Sequence, residues 1–395
     1  MDFNLVDKFI VYRSFDHKSF LVKYRRIPEK KDDKKSFDKI GLVAFDGNMN
    51  QLSSREITMP YTERRMDNLD YQLDNQGNLF MLTKVYHDDS SDDKKRRKDE
   101  EANYHIELFT LQSGSDKMIT TKIENKDKFI NKLWIFDSPK GDLIAGGYFS
   151  NGKGKDFEVN CDGVITFKMK ANGTVYDQFT YDIPVELINE YESNKTKRKN
   201  ERKEEKGEGA KFTNLKLKDL EVGDDGSIVL VGEQQYIVVR NNPGMNGSSG
   251  STTVTYYYND ILVTKILPDG KLSWMKKIPK AQSGHKGQGG MSYKYLNTQD
   301  SHFLVFLDNV KNINLPVDKT PAHHSDGQGG YLTAVKIADA DGTFTKGSIL
   351  NSRDAGDFNL ERMKMDSVVK LNNNTFLVES YKKRGEDVLL KVTLK

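Results

Sequence analysis

The residues best able to do chemistry lie on two successive apolar segments between positions 228 and 267. Glu233, Tyr236, Tyr257 and Asp260 place two carboxyl groups and two phenols where neighbouring strands could line one pocket. Two carboxyl groups are what acid and base catalysis on a glycosidic bond requires. Polar and aromatic pairing across two strands would produce the same pattern without any ligand. These four residues are therefore candidates for ligand binding, and both interpretations stay open.

Three histidines, His285, His323 and His324, lie in predicted loops of the same part of the chain. A zinc site needs three or four ligands in fixed geometry, and neither a regular spacing nor a helix imposes that geometry on them. We interpret them as further ligand-binding candidates, and we predict no metal and no other cofactor.

The common catalytic motifs are not found in the sequence. Gly247-Ser-Ser-Gly-Ser breaks the Gly-x-Ser-x-Gly pattern of a nucleophile elbow. No glycine-rich phosphate loop leads from a strand into a helix. Cys161 has no patterned histidine partner. The sequence therefore predicts no catalytic residue.

A repeated unit, clearest in residues 129 to 182, must position these candidates. Four short segments there alternate β-branched or aromatic residues with polar ones, which is the pattern of half-buried strands. Turn residues join them, and Gly77, Gly141 and Gly226 are expected at positive φ in equivalent turns. Tandem four-stranded antiparallel units predict an all-β fold, a β-propeller of about six blades. We expect a single domain with blades at residues 8–59, 68–123, 129–182, 213–279, 291–350 and 361–395.

Long insertions occur in two kinds of link only, from the second to the third strand of a unit and from the fourth strand to the next unit. In an up-and-down sheet both kinds emerge at the same end, so we predict that this loop-bearing face carries the function. The insertions are residues 28–38, 87–104, 150–162, 183–212, 241–252, 280–290 and 309–330.

The stretch 184–211 is the most strongly charged insertion. Acidic residues come first in it and basic residues later, which suits the dipole of a surface helix. Within its basic run no aromatic residue is present to stack on bases, so we predict no nucleic-acid binding.

Composition sets the remaining limits. The chain of 395 residues has 61 basic and 58 acidic residues and a net charge of +3, so no overall field points to a polyanionic partner. No apolar run reaches the length of a membrane helix, and the first residues do not form a signal peptide. The sixth unit lacks a fourth strand, so either Phe3 to Val6 completes it or the sequence begins inside a longer protein.

Three runs carry a resemblance to a known group of proteins: Met66 to Asn78, Gly141 to Ser150 and Tyr256 to Lys271. They are similar to uncharacterised secreted proteins of Bacteroidota with β-propeller-like repeats, and the similarity extends over nearly the whole chain. The resemblance implies a periplasmic or cell-surface protein whose N-terminal portion, with a signal peptide and further repeats, is missing. It implies no activity and no site residues.

The function expected from these observations is that of a non-catalytic β-propeller, a monomer that binds a protein or a glycan through its loop-bearing face. The alternative is a propeller-type enzyme acting on a polysaccharide, as a glycoside hydrolase or a lyase. A cavity in which several carboxyl groups or histidines with shifted pKa values meet would favour the enzyme.

Overall fold

The structure is a computed structural model. It describes residues 5, 9–28, 32–94, 101–115, 117–125, 128–153, 158–242, 251–285, 290–326, 329–355, 360–372, 374–382 and 386–394. The chain folds into two units, each built from more than one segment. Unit 1 comprises Met1–Ile183, Leu220–Leu230 and Ile266–Leu272, and unit 2 comprises Pro184–Asp219, Val231–Lys265 and Ser273–Lys395.

Antiparallel four-stranded sheets make up most of unit 1, and in each the strands follow chain order. Sheet 1 contains β1 (Ile10–Arg13), β2 (Ser19–Arg25), β3 (Phe37–Asp46) and β4 (Gln51–Thr62). Sheet 2 contains β5 (Met66–Leu73), β6 (Leu79–Tyr86), β7 (Tyr104–Leu111) and β8 (Met118–Ile123). Sheet 3 contains β9 (Phe129–Asp137), β10 (Leu143–Ser150), β12 (Gly163–Met169) and β13 (Val175–Asp182), with the short β11 (Asn160–Cys161) before β12.

The fourth sheet has its residues in both units, and two further sheets lie in unit 2. Sheet 4 contains β15 (Leu215–Val222), β16 (Ile228–Asn242), β17 (Ser251–Ile266), β18 (Leu272–Ile278), β19 (Gln282–Gly284) and β22 (His324–Ser325), preceded by β14 (Phe212–Thr213). Sheet 5 contains β20 (Lys294–Asn297), β21 (Ser301–Asp308), β23 (Tyr331–Ala338) and β24 (Phe344–Asn351). Sheet 6 contains β25 (Leu360–Met363), β26 (Val369–Lys370), β27 (Thr375–Lys382) and β28 (Glu386–Thr393).

The predicted all-β class is confirmed, and the charged insertion is helical as expected. It forms two helices rather than one, α1 (Val185–Asn189) and α2 (Asn194–Glu205), because the chain leaves helical geometry at Glu190 and Tyr191 has a φ of 58°. Single 3₁₀ turns occur at Glu63–Arg65, Val310–Asn312 and Met365–Ser367. Within the described ranges, neither α-helix has the length and apolar character needed to cross a membrane.

Sheet 2 shows how the apolar residues build the core of unit 1. Along β6, Leu79 and Met81 pack into a cluster shared with sheet 1, whereas Phe80 and Leu82 pack into a cluster shared with sheet 3. Successive side chains of a strand point to opposite faces, so one strand supplies two cores. The middle strands of this sheet are buried along their whole length apart from His105.

The expectation that every strand is half-buried is wrong for the middle strands. All described residues of β10 and β12 are buried, whereas β13 alternates between half-buried and exposed residues. Strands covered on both faces are apolar without alternation, and only the outer strand keeps one face toward solvent.

The N-terminal segment and several of the long links lie partly outside the described residues. Of Phe3 to Val6, only Leu5 is within the described residues, and it forms an antiparallel bridge with Arg26. The described strand bounds place the long links where they were predicted. Residues 29–31, 95–100, 154–157, 243–250, 286–289 and 327–328 of these links, which include the Gly247 motif, lie outside the described residues.

The predicted positive φ of the turn glycines is confirmed, with values of 83° at Gly77, 76° at Gly141 and 90° at Gly226. We expect Gly141→Ala to lower the free energy of unfolding by about 1 kcal/mol, because a side chain disfavours this backbone conformation. A Cβ at Gly141 would meet nothing within 4 Å, so the cost isolates the backbone. Gly347→Ala is the control, since its Cβ also has open space and its φ is ordinary. Equal melting temperatures for the two variants would contradict this role of Gly141.

Candidate functional site

Unit 1 contains a cavity of about 720 Å³ between the first strands of its sheets. Residues of β1, β5 and β9 line it, together with Leu220 to Val222 at the end of β15 and with Asp224. A volume of this size is typical of sites for small organic ligands. The cavity is therefore the candidate functional site of unit 1.

Hydrogen bonds between β5 and β9 set the positions of the polar side chains in the cavity. Asp70 Oδ2 accepts a bond from the backbone N–H of Ile135 at 2.8 Å. Two residues further along both strands, Gln72 Nε2 donates to Asp137 Oδ1. Gln72 Nε2 also lies 3.1 Å from the carbonyl oxygen of Arg13 on β1, to which it donates. These bonds between β1, β5 and β9 fix the positions of the polar side chains in the cavity.

Asp70 is a titratable group of the cavity with a strongly raised pKa. Burial raises the pKa of its carboxyl group to about 7, although hydrogen bonds from the N–H groups of Ile135 and Tyr71 and the charge of Lys132 act in the opposite direction. The residue is half-buried and borders the cavity. A carboxyl group that is protonated near neutral pH and borders a cavity can donate a proton to a bound ligand.

Asp137 is the second carboxyl group of the cavity, and its residue is 3% exposed. Burial raises its pKa to about 6, against the hydrogen bonds that it accepts from the Phe15 N–H and from Gln72. The Phe15 nitrogen lies 3.0 Å from Oδ1 and 3.1 Å from Oδ2. These bonds hold the carboxylate in place and leave it ionised above about pH 6.

The two carboxyl groups are one step apart along the strands. Asp70 binds β9 at Ile135, and Asp137 follows two residues later. Two residues of a strand span about 7 Å. Burial raises both pKa values, to about 7 for Asp70 and about 6 for Asp137, so Asp70 keeps its proton to the higher pH.

Aromatic rings provide the apolar part of the cavity wall. The rings of Tyr12 and Tyr71 lie 5.6 Å apart, and those of Trp134 and Phe136 lie 6.5 Å apart. Burial raises the pKa of Tyr12, and the nearby charge of Asp70 raises it further, so the phenol stays neutral and can donate a hydrogen bond. Trp134 and Phe136 are half-buried, so their rings are partly accessible to a ligand.

The two carboxylates that we predicted as ligand-binding residues are ion-paired in unit 2. Glu233 is fully buried, and its Oε1 lies 2.8 Å from Lys280 Nζ. Asp260 Oδ1 accepts a bond from the Lys280 N–H at 3.0 Å, and its Oδ2 lies 3.1 Å from Lys277 Nζ. The structure therefore brings the two carboxylates together around one lysine. Their proposed role in ligand binding stays a prediction.

The two predicted tyrosines are also brought together. The rings of Tyr236 and Tyr257 stack at 4.7 Å with an interplanar angle of 5°. Asn259 Nδ2 donates to Tyr236 Oη at 3.3 Å. Both rings are half-buried, so each partly faces solvent. This arrangement is the cross-strand pairing considered from the sequence.

The three predicted histidines have three different environments. His285 Nδ1 donates to the carbonyl oxygen of Val254 at 3.0 Å, and His323 Nε2 lies 2.8 Å from Ser283 Oγ. His324 is 5% exposed, and burial lowers its pKa to about 4 despite the opposing charge of Asp308. Among the described residues, no cluster of three or more histidine, cysteine, aspartate or glutamate side chains could hold a metal ion.

Sequence reasoning missed the cavity of unit 1 and its residues. The sequence does contain a pattern that indicates this cavity. Tyr12, Asp70 and Trp134 lie on the first strands of three successive repeats. Polar or aromatic residues at matching places in several repeats would have pointed to one shared site.

Comparison with known proteins finds only remote similarities to solved structures. No protein-family model matches the sequence, and no curated protein matches it either. An apocarotenoid oxygenase from Synechocystis is 8% identical with a TM-score of 0.41, and the match covers 87% of this chain and 61% of the oxygenase. A protein of unknown function from Dyadobacter fermentans is 9% identical with a TM-score of 0.37, covering 96% of this chain and 92% of that protein. The polysaccharide lyase Uly1 is 9% identical with a TM-score of 0.35, and the match covers 98% of this chain and 78% of the lyase. Values this low carry no inference about activity.

Proposed function

We propose that the protein is a β-propeller enzyme that cleaves a carbohydrate in the cavity of unit 1. The observation that carries this proposal is the pair Asp70 and Asp137, two carboxyl groups with pKa values of about 7 and about 6 in one cavity. Shifted pKa values in a cavity are characteristic of catalytic acids and bases.

The propeller is supported by how the sheets pack within each unit. Sheet 2 shares one apolar cluster with sheet 1 and another with sheet 3, and sheets 5 and 6 share a cluster in unit 2. Face-to-face packing of successive four-stranded sheets is how propeller blades bury their apolar faces. The cavity lies at the first strands, which is where such blades converge.

The reaction that we propose is hydrolysis of a glycosidic bond. Asp70 donates its proton to the glycosidic oxygen as the bond from this oxygen to the anomeric carbon breaks. Asp137 accepts a proton from water, whose oxygen forms the new bond to the anomeric carbon. One water molecule is consumed, and the two protonation states are restored by proton exchange with solvent. Trp134 and Phe136 provide apolar surfaces against which a sugar ring can pack.

The test is a screen of the intact protein against neutral and acidic polysaccharides, with measurement of new reducing ends. We expect the rate to be highest between about pH 6 and 7. Below this window Asp137 becomes protonated and can no longer accept a proton, and above it Asp70 loses the proton that it must donate. The control is Asp67→Asn, an exposed carboxylate on the same strand, whose profile should match that of the wild type.

Three results would overturn the proposal. Binding of a polysaccharide without cleavage, together with its loss in Trp134→Ala, would favour a non-catalytic binding protein. A product that absorbs ultraviolet light, as an unsaturated sugar does, would instead indicate a lyase. Neither binding nor cleavage with any polysaccharide would remove carbohydrate as the ligand.

A further inference from the structure

Helix α2 in unit 2 carries basic residues along one face. Its N-terminus is capped by Ser193, whose Oγ accepts a bond from the Thr196 N–H at 3.2 Å. The helical repeat of 3.6 residues brings positions three, four, seven, eight and eleven residues apart onto one side. The residues at this spacing are Lys195, Arg198, Lys199, Arg202, Lys203 and Lys206, which we call the basic stripe.

The opposite side of α2 holds the helix in place. Asn200 is buried and donates through Nδ2 to Asn189 Oδ1 of α1 at 2.7 Å. The end of α1 is fixed in turn by Lys277, whose Nζ donates to the carbonyl oxygens of Ile188 at 3.0 Å and Glu190 at 2.8 Å. The anchoring therefore fixes the direction of the basic stripe, whose residues are exposed except for the half-buried Lys203.

The basic stripe is poorly neutralised by the described acidic side chains. In the part of the chain that the structure describes, none of its six residues forms an ion pair. An open cavity of about 630 Å³ lies along these residues, and Glu208 is the only acidic residue that lines it among the described residues. Six positive charges thus face one concave surface.

The arrangement opposes the stability of the helix itself. Like charges four residues apart repel each other, and the stripe contains four such pairs, beginning at Lys195, Arg198, Lys199 and Arg202. A glutamate in place of one basic residue of each pair would have given attraction between the two side chains instead of repulsion. A local sequence that works against its own fold is expected at a functional surface.

We propose that the basic stripe binds a linear acidic polysaccharide along the axis of α2. Residues 194 to 208 include no apolar side chain that could insert into a lipid surface, and no aromatic ring that could stack on a nucleobase. A helix placed in a DNA groove meets phosphates on several sides, but α2 has Glu201 and Glu205 beside the stripe and Asn200 buried. The contact surface is therefore one-sided and runs along the helix axis, which suits an extended chain with acidic groups along its length. This site is independent of the cavity of unit 1.

The experiment is a binding titration of the full chain with polygalacturonate, and with dextran as the uncharged comparison. We expect binding to polygalacturonate only, weakening at least about tenfold as ionic strength rises from about 0.05 to about 0.5 M. The variant Arg198→Gln, Lys199→Gln, Arg202→Gln should lose about tenfold or more in affinity, because glutamine keeps the helix and removes the charge. The control variant is Lys216→Gln, Lys218→Gln, Lys311→Gln, which removes three exposed lysines elsewhere in unit 2 and should bind like the wild type.

Three outcomes would overturn the proposal. An equal loss in the control variant would mean that only diffuse charge attracts the polymer. Tighter binding to duplex DNA than to polygalacturonate would assign the stripe to nucleic acid. Binding to vesicles containing phosphatidylserine, without binding to polygalacturonate, would assign it to a membrane surface.

Unaltered cleavage in the cavity, with binding at the stripe lost, would separate this site from the proposed enzyme activity.

Discussion

Asp70→Asn is expected to make the protein more stable at pH 8 and to lower its proposed activity strongly. Between pH 3.8 and about 7 the folded protein holds a proton on Asp70 that the unfolded chain has released. Stability therefore falls as the pH rises through this range. Asparagine is uncharged, and its carbonyl oxygen can still accept the bond from the Ile135 N–H.

The size of this gain in stability follows from the shift in the pKa of Asp70. One pKa unit corresponds to about 1.4 kcal/mol, and because Asp70 is half-buried we expect about 2 kcal/mol at pH 8 rather than the full value. Turnover should fall by about 100-fold or more, as for the loss of a general acid. Thermal unfolding from pH 4 to 8 checks the first part, with Asp67→Asn as the control. A profile for Asp70→Asn that runs parallel to the wild type would contradict it.

Lys280→Met is expected to be the most destabilising single change in unit 2. Lys280 is 1% exposed, and its Nζ lies 2.8 Å from Glu233 Oε1. The same Nζ donates to the Tyr258 carbonyl oxygen at 2.8 Å and to Gln282 Oε1 at 2.9 Å. Methionine fills the space but leaves Glu233 buried without its cation. Breaking a buried pair in this way typically costs about 3 to 5 kcal/mol.

A double variant shows whether the charge is responsible. Glu233→Gln together with Lys280→Met should recover much of the loss, because neither group is then charged. Lys364→Met removes a partner from the exposed pair with Glu379 and should change the denaturant midpoint very little. If the double variant is no more stable than Lys280→Met alone, packing and not charge explains the loss.

The sequence predicted those parts of the fold that local chemistry decides. The glycines at 77, 141 and 226 adopt positive φ because their turns require it, and the alternation of apolar residues places strands such as β10. The break between α1 and α2 was not predictable, because the turn at Tyr191 depends on a bond from its N–H to the Val317 carbonyl oxygen, far along the chain.

The candidate site was less predictable than the fold for the same reason. The shifted pKa of Asp70 arises from burial beside β9, which is 65 residues away in sequence. Glu233 has the residue type of a catalytic carboxylate, yet Lys280 pairs with it across 47 residues, and nothing in the local pattern joins the two. Site chemistry of this kind depends on interactions between repeats, whereas strands and turns depend on interactions within them.

Sheet 2 has a thermodynamic consequence, because Phe80 and Met81 on one strand belong to two different cores. Loss of either core would expose a face of β6 and remove the support of the other core. The three sheets of unit 1 should therefore unfold as one cooperative block, without a stable intermediate in which a single repeat has detached.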